Sequence, residues 1–269
     1  MNFSVLMSLY DREVAENLKR SLSSLRSQTL VPSEIVLVYD GPIRQELRQV
    51  VEDFSEKFEN LKVIPQSKNL GLGQALNNGL DHCTHEIIAR MDTDDICYPD
   101  RFEKQIAYLE KNADVSVLGA GIQEFETEPG DLNRFRKLPT STEEIKRFAH
   151  FRNPLNHPTV IFVKSHVLAA GSYQDMPLFE DYYLWIRLIQ KGYRIANLSE
   201  PLLHFRIGND MIGRRHGVGY FKKELKFLRA AKALEFINTT QFLASVTLKL
   251  PLRLFPKKFL ELFYKSLLR

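Results

Sequence analysis

The stretch Glu86-Ile-Ile-Ala-Arg-Met-Asp-Thr-Asp-Asp95 joins a short apolar run to a cluster of carboxylates. An apolar run of this length indicates a strand that is buried on both faces, as in a parallel sheet. Asp92 and Asp94 follow the strand directly, and carboxylate oxygens are the ligands that hard divalent cations prefer. A calcium-binding EF-hand is excluded, because the sixth position counted from Asp92 is Cys97 instead of glycine. The alternative is an ordinary helix start capped by Asp95.

Strands and helices alternate on both sides of this stretch. Hydrophobic residues at helical spacing, such as Leu18, Leu22 and Leu25, are followed by short apolar runs such as Glu34–Tyr39. The pattern predicts strands over 3–9, 34–39, 61–64, 86–91 and 115–119, and helices over 13–28, 43–58, 72–82 and 100–111. We therefore expect an α/β protein with a mostly parallel, doubly wound sheet.

Three of the predicted strands end at or next to an acid, namely Asp11, Asp40 and Asp92. In a doubly wound sheet the ligand lies beyond the carboxyl ends of the strands. Three acids at this edge suit a site for a cation and a diphosphate. Gly71 and Gly73 open the helix after the third strand, where backbone N–H groups can approach a phosphate. They do not form a dinucleotide-binding fingerprint, because the third glycine is missing and the run does not follow the first strand.

Composition excludes several classes of protein. Of the 269 residues, 44% are hydrophobic and 26% are charged, which are globular proportions. Two cysteines, Cys83 and Cys97, can form neither a disulfide scaffold nor a paired zinc site. No apolar run reaches the ~18 residues of a membrane span, and the N-terminus is typical of a first strand and not of a signal peptide. Residues 124–144 are polar and predict a loop, with a strand following over 159–163.

Charge divides the chain into a mildly acidic body and a basic tail. The whole chain carries a net charge of +4, but residues 211–269 contain 13 Lys and Arg and three Asp and Glu. Residues 259–269 place apolar and cationic side chains on opposite sides of a helix, as in helices that lie in a membrane interface. The alternatives are a helix that packs on the body and a tail that binds nucleic acid. Arg214 and Arg215 suit a phosphate clamp or a solvated turn.

Two further motifs contain residue types that catalyse reactions or bind ligands. Glu180 and Asp181 open a predicted helix, where either carboxylate can act as a general base or only cap the helix. His157 follows a rigid polar loop, and His204 lies in a later apolar segment. A lone histidine is more often structural than a ligand, so both readings stay open for each of them.

Six motifs occur in order along residues 3–215. They are Ser-Leu-Tyr-Asp-Arg-Glu (8–13), Glu-Ile-Val-Leu-Val-Tyr-Asp-Gly (34–41), Asn-x-Gly-x-x-x-Ala-x-Asn-x-Gly (69–79), Ala-Arg-Met-Asp-Thr-Asp-Asp (89–95), Pro-Asp-Arg-Phe-Glu-Lys-Gln (99–105) and Glu-Asp-Tyr (180–182). Together they resemble the family 2 glycosyltransferases, the inverting GT-A group, and especially the bacterial branch that includes amylovoran and O-antigen enzymes. The resemblance implies a GT-A domain over 1–215, with 1–120 for the nucleotide-sugar and 121–215 for the acceptor, and a helical, basic, membrane-associating tail over 216–269.

The resemblance also implies a role for each matching position. Contacts to the nucleotide-sugar are expected from Tyr10, Asp11, Asp40, Asn69, Gly71, Asp92 and Thr93. A divalent cation, Mn²⁺ or Mg²⁺, is expected on Asp94 and Asp92, with His204 as a further candidate ligand. Asp181 is expected to be the general base, with Glu180 beside it. The acceptor side is expected to contain Asn156, His157 and Trp185, and the phosphate clamp Arg214 and Arg215.

Two departures from the family pattern bear on these roles. The family often has Asp-Asp-Gly-Ser after the second strand, whereas this chain has Tyr39-Asp40-Gly41-Pro42, so the first acid is absent. The chain also lacks the Gln-x-x-Arg-Trp motif and the membrane spans of processive synthases. That absence favours the addition of a single sugar.

The resemblance implies inverting transfer of one hexose from UDP-galactose or UDP-glucose to a saccharide on a polyprenyl diphosphate, in bacterial surface polysaccharide synthesis. We expect a peripheral protein on the cytoplasmic face of the inner membrane, with an anionic membrane surface and not nucleic acid as a further partner. Two alternatives stay open. A sugar nucleotidyltransferase would have a glycine-rich basic loop after the first strand, and residues 8–11 contain none. A non-catalytic scaffold that binds nucleotide-sugars would not need Asp94 and Asp181.

Overall fold

The computed structural model describes residues 1–208 and 216–254, and within them nine strands form one sheet. The strands are β1 (Phe3–Leu9), β2 (Glu34–Tyr39), β3 (Leu61–Pro65), β4 (Ile87–Arg90), β5 (Ile96–Cys97), β6 (Val115–Phe125), β7 (Arg134–Arg136), β8 (Ile161–Val163) and β9 (Arg194–Arg206). The helices are α1 (Ala15–Arg26), α2 (Gln45–Ser55), α3 (Leu72–His82), α4 (Arg101–Lys111), α5 (Thr142–Ala149), α6 (Lys164–Ala169), α7 (Glu180–Gln190), α8 (Gly217–Ala233) and α9 (Thr239–Leu254).

The first half of the sheet is parallel and doubly wound. Its strands lie in the order β3-β2-β1-β4, and each neighbouring pair is parallel. Because side chains alternate along a strand, Val5 and Met7 of β1 pack with α1, α2 and α4, whereas Leu6 packs with α3. All three side chains are fully buried, which explains the uninterrupted apolar runs in this half. The predicted parallel, doubly wound arrangement is confirmed here.

Beyond β4 the sheet is mixed. Strand β8 runs antiparallel to β4 and β6, while β9 runs parallel to β6 and antiparallel to β5. Strand β6 continues to Phe125, past the predicted end at Gly119. At Gly119 the neighbouring strand approaches so closely that a Cβ would lie 2.2 Å from Asn197 Oδ1. This position of the strand therefore requires glycine. The loop predicted over 124–144 is wrong in part, because it contains β7 and the first turn of α5.

Helices α7, α8 and α9 form a layer outside the sheet. Trp185 of α7 packs toward the sheet, whereas Ile186 packs against Phe227 of α8 and its neighbours. The buried Glu224 of α8 accepts a hydrogen bond from Arg253 Nε of α9 at 3.0 Å. Helix α7, which opens with Glu180–Asp181, is therefore covered on one side by the sheet and on the other by α8.

The basic tail is described only in part. Its first two helices, α8 and α9, pack against each other and α8 packs against α7. The amphipathic helix predicted over 259–269 lies outside the described residues, as do Arg214 and Arg215. Among the helices that the structure describes, none is long and apolar enough to cross a membrane.

Candidate active site

Three carboxylates gather where β4 ends. One oxygen from each of Asp92, Asp94 and Asp95 lies within 4.8 Å of the other two. Contacts from two elements, α1 and β9, hold the cluster in place. The Ser21 hydroxyl of α1 donates to the Asp92 carbonyl at 3.0 Å, and the backbone N–H of Arg206 in β9 donates to Asp95 Oδ1 at 2.8 Å. The cluster lies at the carboxyl edge of the parallel strands, where sheets of this kind bind ligands.

Burial and mutual repulsion oppose the ionisation of all three carboxylates in this cluster. Burial, Asp92 and Glu13 raise the pKa of Asp94 to about 7. Burial and the two neighbouring acids raise the pKa of Asp95 well above its ordinary value, and Asp95 Oδ2 has no partner among the described residues. A bound divalent cation offsets such repulsion, and carboxylate oxygens are the ligands that Mg²⁺ and Mn²⁺ prefer. The donor set therefore fits a divalent cation.

The buried guanidinium of Arg90, at the end of β4, balances part of this charge. Its side chain is 2% exposed, and its Nη2 donates to Asp92 Oδ1. Its Nε and Nη1 have no partner within the described chain. The sequence analysis missed Arg90, and the available signal was a charged residue at the end of an otherwise apolar strand.

Asp40, at the end of β2, holds the turn before α3. Its two carboxylate oxygens accept the backbone N–H groups of Leu70 and Gly71 at 2.7 and 3.1 Å. Asn69 Nδ2 donates to the Asp40 carbonyl at 3.1 Å, and Gly41 approaches so closely that a Cβ there would lie 2.7 Å from Asn69 N. Asp40 is buried. The structure thus gives Asp40 a positioning role for the glycine turn, and its contact to a nucleotide base stays a prediction.

The other residues predicted on the nucleotide side lie along the loop after β1 and next to the acid cluster. Tyr10 is 38% exposed. Asp11 Oδ1 accepts the backbone N–H of Arg44 at 2.7 Å, which ties this loop to the start of α2. The Thr93 hydroxyl donates to Glu13 Oε2 at 2.8 Å in a buried contact. Glu13, which the sequence analysis did not single out, therefore anchors the acid cluster from the β1–α1 loop.

Asp181 and Glu180 occupy the first turn of α7. Asp181 Oδ2 accepts a hydrogen bond from Asn153 Nδ2 at 2.7 Å. Burial raises the pKa of Glu180, and its Oε2 has no partner within the described residues. A Cβ on Gly73 would lie 3.6 Å from Glu180 Cβ, so the first turns of α3 and α7 are adjacent. The structure thus brings the candidate base next to the glycine turn that Asp40 holds.

Tyr173 lies between the acid cluster and the candidate base. Its hydroxyl is 2.9 Å from His157 Nε2. Burial raises the pKa of Tyr173, Arg90 opposes this, and the carboxylates of Asp181 and Asp92 both contribute to the rise. Asp181 and Asp92 therefore both lie within electrostatic range of the Tyr173 hydroxyl. The sequence analysis missed Tyr173, since only the tertiary fold brings it there.

The three residues predicted on the acceptor side differ in their exposure. Asn156 is buried, and its Nδ2 donates to the Ala120 carbonyl at 2.8 Å. Trp185 is fully buried, and its ring lies 6.0 Å from the partly exposed His157 ring. Burial, with a further effect of Arg90, lowers the pKa of His157 well below its ordinary value, so the ring is neutral at pH 7. Asn156 and Trp185 therefore lie in the core beneath the site, and their role on the acceptor side stays a prediction.

His204, the further candidate for the cation, lies outside the group formed by Asp92, Asp94 and Asp95. Its ring stacks on Tyr98 with centroids 4.1 Å apart. Burial lowers the pKa of His204. Among the described residues, the group that could hold a cation consists of Asp92, Asp94 and Asp95, and the packing of His204 on Tyr98 favours a structural role.

Comparison with known proteins assigns the family. Residues 4–175 match the family model described as Glycosyl transferase family 2. The chain is 45% identical over 267 residues to the amylovoran biosynthesis glycosyltransferase AmsE of Erwinia amylovora, with 98% of each chain covered. The chain belongs to glycosyltransferase family 2. This family 2 member is therefore a glycosyltransferase, as its motifs predict.

Other relatives of the family 2 enzyme agree with this assignment. It is 33% identical over 267 residues to an Escherichia coli UDP-Gal:alpha-D-GlcNAc-diphosphoundecaprenol beta-1,3-galactosyltransferase, covering 99% of this chain and 96% of the relative. S. aureus TarS 1-349 in complex with UDP has a TM-score of 0.67 at 19% identity, covering 91% and 70% of the two chains. Pyrobaculum calidifontis mannosyltransferase PcManGT, with GDP-Man and Mn²⁺, has a TM-score of 0.66 at 16% identity, covering 91% and 68%. These structures confirm the GT-A fold.

Proposed function

We propose that this family 2 enzyme transfers one hexose from a UDP-sugar, galactose or glucose, to a saccharide linked to a polyprenyl diphosphate. The observation that carries the substrate classes is the similarity, over nearly the whole chain, to an enzyme named for UDP-Gal and a diphosphoundecaprenol acceptor. The site is consistent with this chemistry, because it has a cluster of acids that fits a divalent cation and a separate carboxylate, Asp181, and both Asp92 and Asp181 act on Tyr173. The proposed setting is bacterial surface polysaccharide synthesis.

Asp181 is the proposed general base. It accepts the proton of an acceptor hydroxyl while that oxygen forms a bond to the anomeric carbon, and the bond from that carbon to the UDP oxygen breaks on the opposite face. The product sugar is therefore inverted, and UDP leaves with the electron pair. The hydrogen bond from Asn153 Nδ2 to Asp181 Oδ2 fixes the position of the carboxylate at the start of α7.

Asp94 and Asp92 are the proposed ligands of the divalent cation, Mn²⁺ or Mg²⁺. When bound, the cation supplies charge stabilisation for the departing diphosphate. Arg90 orients the Asp92 carboxylate through its Nη2 contact. Glu13 and Thr93 hold the loop that carries both acids.

The C-terminal part of the chain also supports a proposed location at the membrane surface. Helix α9 exposes Leu243 and Leu248, at 56% and 68% of their full areas. The chain after it, 255–269, contains four Lys and Arg and one Glu. Apolar and cationic side chains together bind anionic bilayers, so we place the enzyme peripherally on the cytoplasmic face of the inner membrane, where lipid-linked acceptors lie.

Donor hydrolysis tests the proposed function without knowledge of the acceptor. UDP release is measured over a panel of UDP-sugars, with Mn²⁺ and with a chelator. We expect release from UDP-galactose or UDP-glucose, dependent on Mn²⁺, and a loss of about 100-fold or more in the Asp94→Asn variant. The matched control is Asp53→Asn, which changes an exposed acid on α2 and should retain full release.

The outcomes separate the alternatives. Metal-dependent release that Asp94→Asn abolishes and Asp53→Asn retains supports the transferase and names the donor sugar. No release from any sugar, combined with UDP binding in calorimetry and no transfer to a lipid-linked acceptor, would indicate a scaffold instead. Absence of UDP binding would show that the donor class itself is wrong.

A further inference from the structure

A cationic and aromatic surface lies on α5 and the residues that follow it. We call it the α5 surface, and its members are Lys146, Arg147, Phe148, Phe151 and Arg152. The three cations are exposed, and none of them pairs with a carboxylate in the described chain. The nearby Glu144 is held by the Ser141 hydroxyl at 2.8 Å, as part of the helix cap. The α5 surface therefore presents three cations that form no ion pair within the described chain, with the exposed carboxylates of Glu143 and Glu144 beside them on the same helix.

This surface is fixed directly beside the candidate base. The Tyr182 hydroxyl donates to the Ala149 carbonyl at 2.8 Å, which joins the end of α5 to the first turn of α7. Asn153, the next residue after Arg152, donates to Asp181 Oδ2 at 2.7 Å. The α5 surface thus begins one residue from the partner of Asp181. A ligand whose hydroxyl is bound at Asp181 has this surface within reach of its remaining part.

The arrangement of the side chains suits an anion attached to an apolar chain. The Arg152 guanidinium lies over the Phe148 ring at 5.3 Å, which uses its flat face and leaves its edge N–H groups for a ligand. Arg147 and Phe148, with Pro139 and Glu144, line an open cavity of about 470 Å³. Phe151 is 44% exposed, so an aromatic face stands next to the cations.

We infer that the α5 surface binds the diphosphate and first prenyl units of the lipid-linked acceptor, an inference that rests on the proposed function. The diphosphate is complementary in charge to Arg147 and Arg152, whose planar guanidinium groups match phosphate oxygens. The prenyl chain covers Phe148 and Phe151. A free phosphate has no apolar part that could pack on an aromatic ring. The surface therefore fits a prenylated phosphate. The saccharide then extends from this surface to Asp181.

Calorimetry with farnesyl diphosphate tests the inference on the full chain. Saturating UDP and Mn²⁺ are present, so that the donor site is filled. The Arg147→Gln/Arg152→Gln double variant should weaken binding by at least about tenfold, because it removes charge-assisted hydrogen bonds. The Arg147→Lys/Arg152→Lys variant keeps the charge and should bind more tightly than the Gln variant. The matched control is Lys111→Gln/Lys191→Gln, which removes two exposed cations elsewhere and should bind like the wild type.

Three results would overturn the inference. One is equal affinity of the wild type and the Gln variant for farnesyl diphosphate, and another is an equal loss in the Lys111/Lys191 control. The third comes from pelleting with phosphatidylglycerol vesicles. If the Gln variant loses vesicle binding and retains farnesyl diphosphate binding, the surface serves bilayer headgroups and not the acceptor.

UDP release from the wild type keeps this result separate from the proposed function. If no UDP-sugar is turned over but the two arginines are needed for farnesyl diphosphate binding, the proposed function fails and the surface stands. If the enzyme transfers sugar to a lipid-linked acceptor and the Gln variant has an unchanged KM for it, the surface fails and the proposed function stands.

Discussion

At the scale of single residues, the Asp94 carboxylate is the group for which a proton and a divalent cation compete. Burial and the nearby Asp92 hold its pKa at about 7, so much of it is protonated in the cation-free enzyme at pH 6. A cation needs the ionised form, and a proton on Asp94 therefore competes with it. Raising the pH through 7 removes that competition. In the cation-free enzyme the same ionisation is unfavourable, because the unfolded chain ionises at lower pH.

Thermal unfolding with and without Mn²⁺ measures this linkage. The folded-state pKa of Asp94 is raised, so the cation-free enzyme loses stability as the pH rises from about 4 to about 7. The rise in Tm on adding Mn²⁺ should therefore be larger at pH 8 than at pH 6. In Asp94→Asn the Mn²⁺ effect should be small at both pH values. An equal rise at pH 6 and pH 8 in the wild type would contradict the assignment.

Some residues of the site were predictable from the sequence, and others were not. Asp92 and Asp94 were predictable because a two-residue motif at a strand end restricts their position locally. Arg90 and Tyr173 were not, because their importance comes from contacts across the fold. Tyr173 lies on a loop that Asn77 of α3 holds in place. Asn77 Nδ2 donates to the Tyr173 carbonyl at 2.7 Å, and the Tyr173 backbone N–H donates to Asn77 Oδ1 at 2.9 Å.

At the scale of elements, the predicted helices and strands up to α4 agree with the structure, because buried parallel strands and amphipathic helices carry strong periodic signals. The elements that were missed have weak ones. Strand β5 has two residues and β7 has three, which is too short for a period to be seen. Helix α5 begins at a visible cap, Ser141 with Glu144 three residues later, and this local signal could have identified it.

Helix α3 packs closely on the sheet. An added methyl group should therefore destabilise the protein when it is placed in α3 and stabilise it when it is placed in α8. A Cβ on Gly79 would lie 2.4 Å from Leu6 Cδ1 and 2.7 Å from Val38 Cγ2, and both neighbours are fully buried. Overpacking of about 1–3 kcal/mol should outweigh the helix propensity of alanine, about 1 kcal/mol. Gly79→Ala should therefore lower the free energy of unfolding by about 1 kcal/mol or more.

The control for this prediction is Gly219→Ala in α8, where no atom of the described residues lies within 4 Å of the added Cβ. Without steric cost, the substitution should stabilise the protein by about 0.5–1 kcal/mol. Urea unfolding of both variants gives the comparison. Stabilisation by Gly79→Ala as well would mean that α3 can move away from the sheet, contrary to the packing described.

At the scale of the whole molecule, helices α8 and α9 of the basic tail pack on the body. The buried Glu224 contacts Lys249 and Arg253 of α9 at 3.2 and 3.0 Å. Although burial acts to raise the pKa of Glu224, these two cations lower it. A truncation that removes 245–269 would leave a buried carboxylate without its partners, which costs about 3–5 kcal/mol. The motif order predicted the fold, but charge counting alone could not predict this packing.

Truncation after Leu254 therefore tests the membrane role without breaking the core. The shortened chain should keep its Tm and its UDP release, because the described packing is intact. Sedimentation with anionic vesicles should fall by at least about tenfold, since four cationic side chains are removed. The full chain sedimented with neutral vesicles provides the control. Undiminished sedimentation of the truncated chain would assign membrane binding to another surface.

The pairing of β4 with β8 has a mechanical consequence for catalysis. Ala89 and Ile161 are register partners in a ladder that joins the parallel half of the sheet to the mixed half. Opening the molecule like a hinge between the two halves would break these backbone hydrogen bonds, which is costly in a buried sheet. Substrates must then enter and leave by way of the loops at the sheet edge. The ladder therefore fixes the acids that follow β4 relative to the mixed half of the sheet, and such fixed positions reduce the entropy lost when reacting groups are brought together.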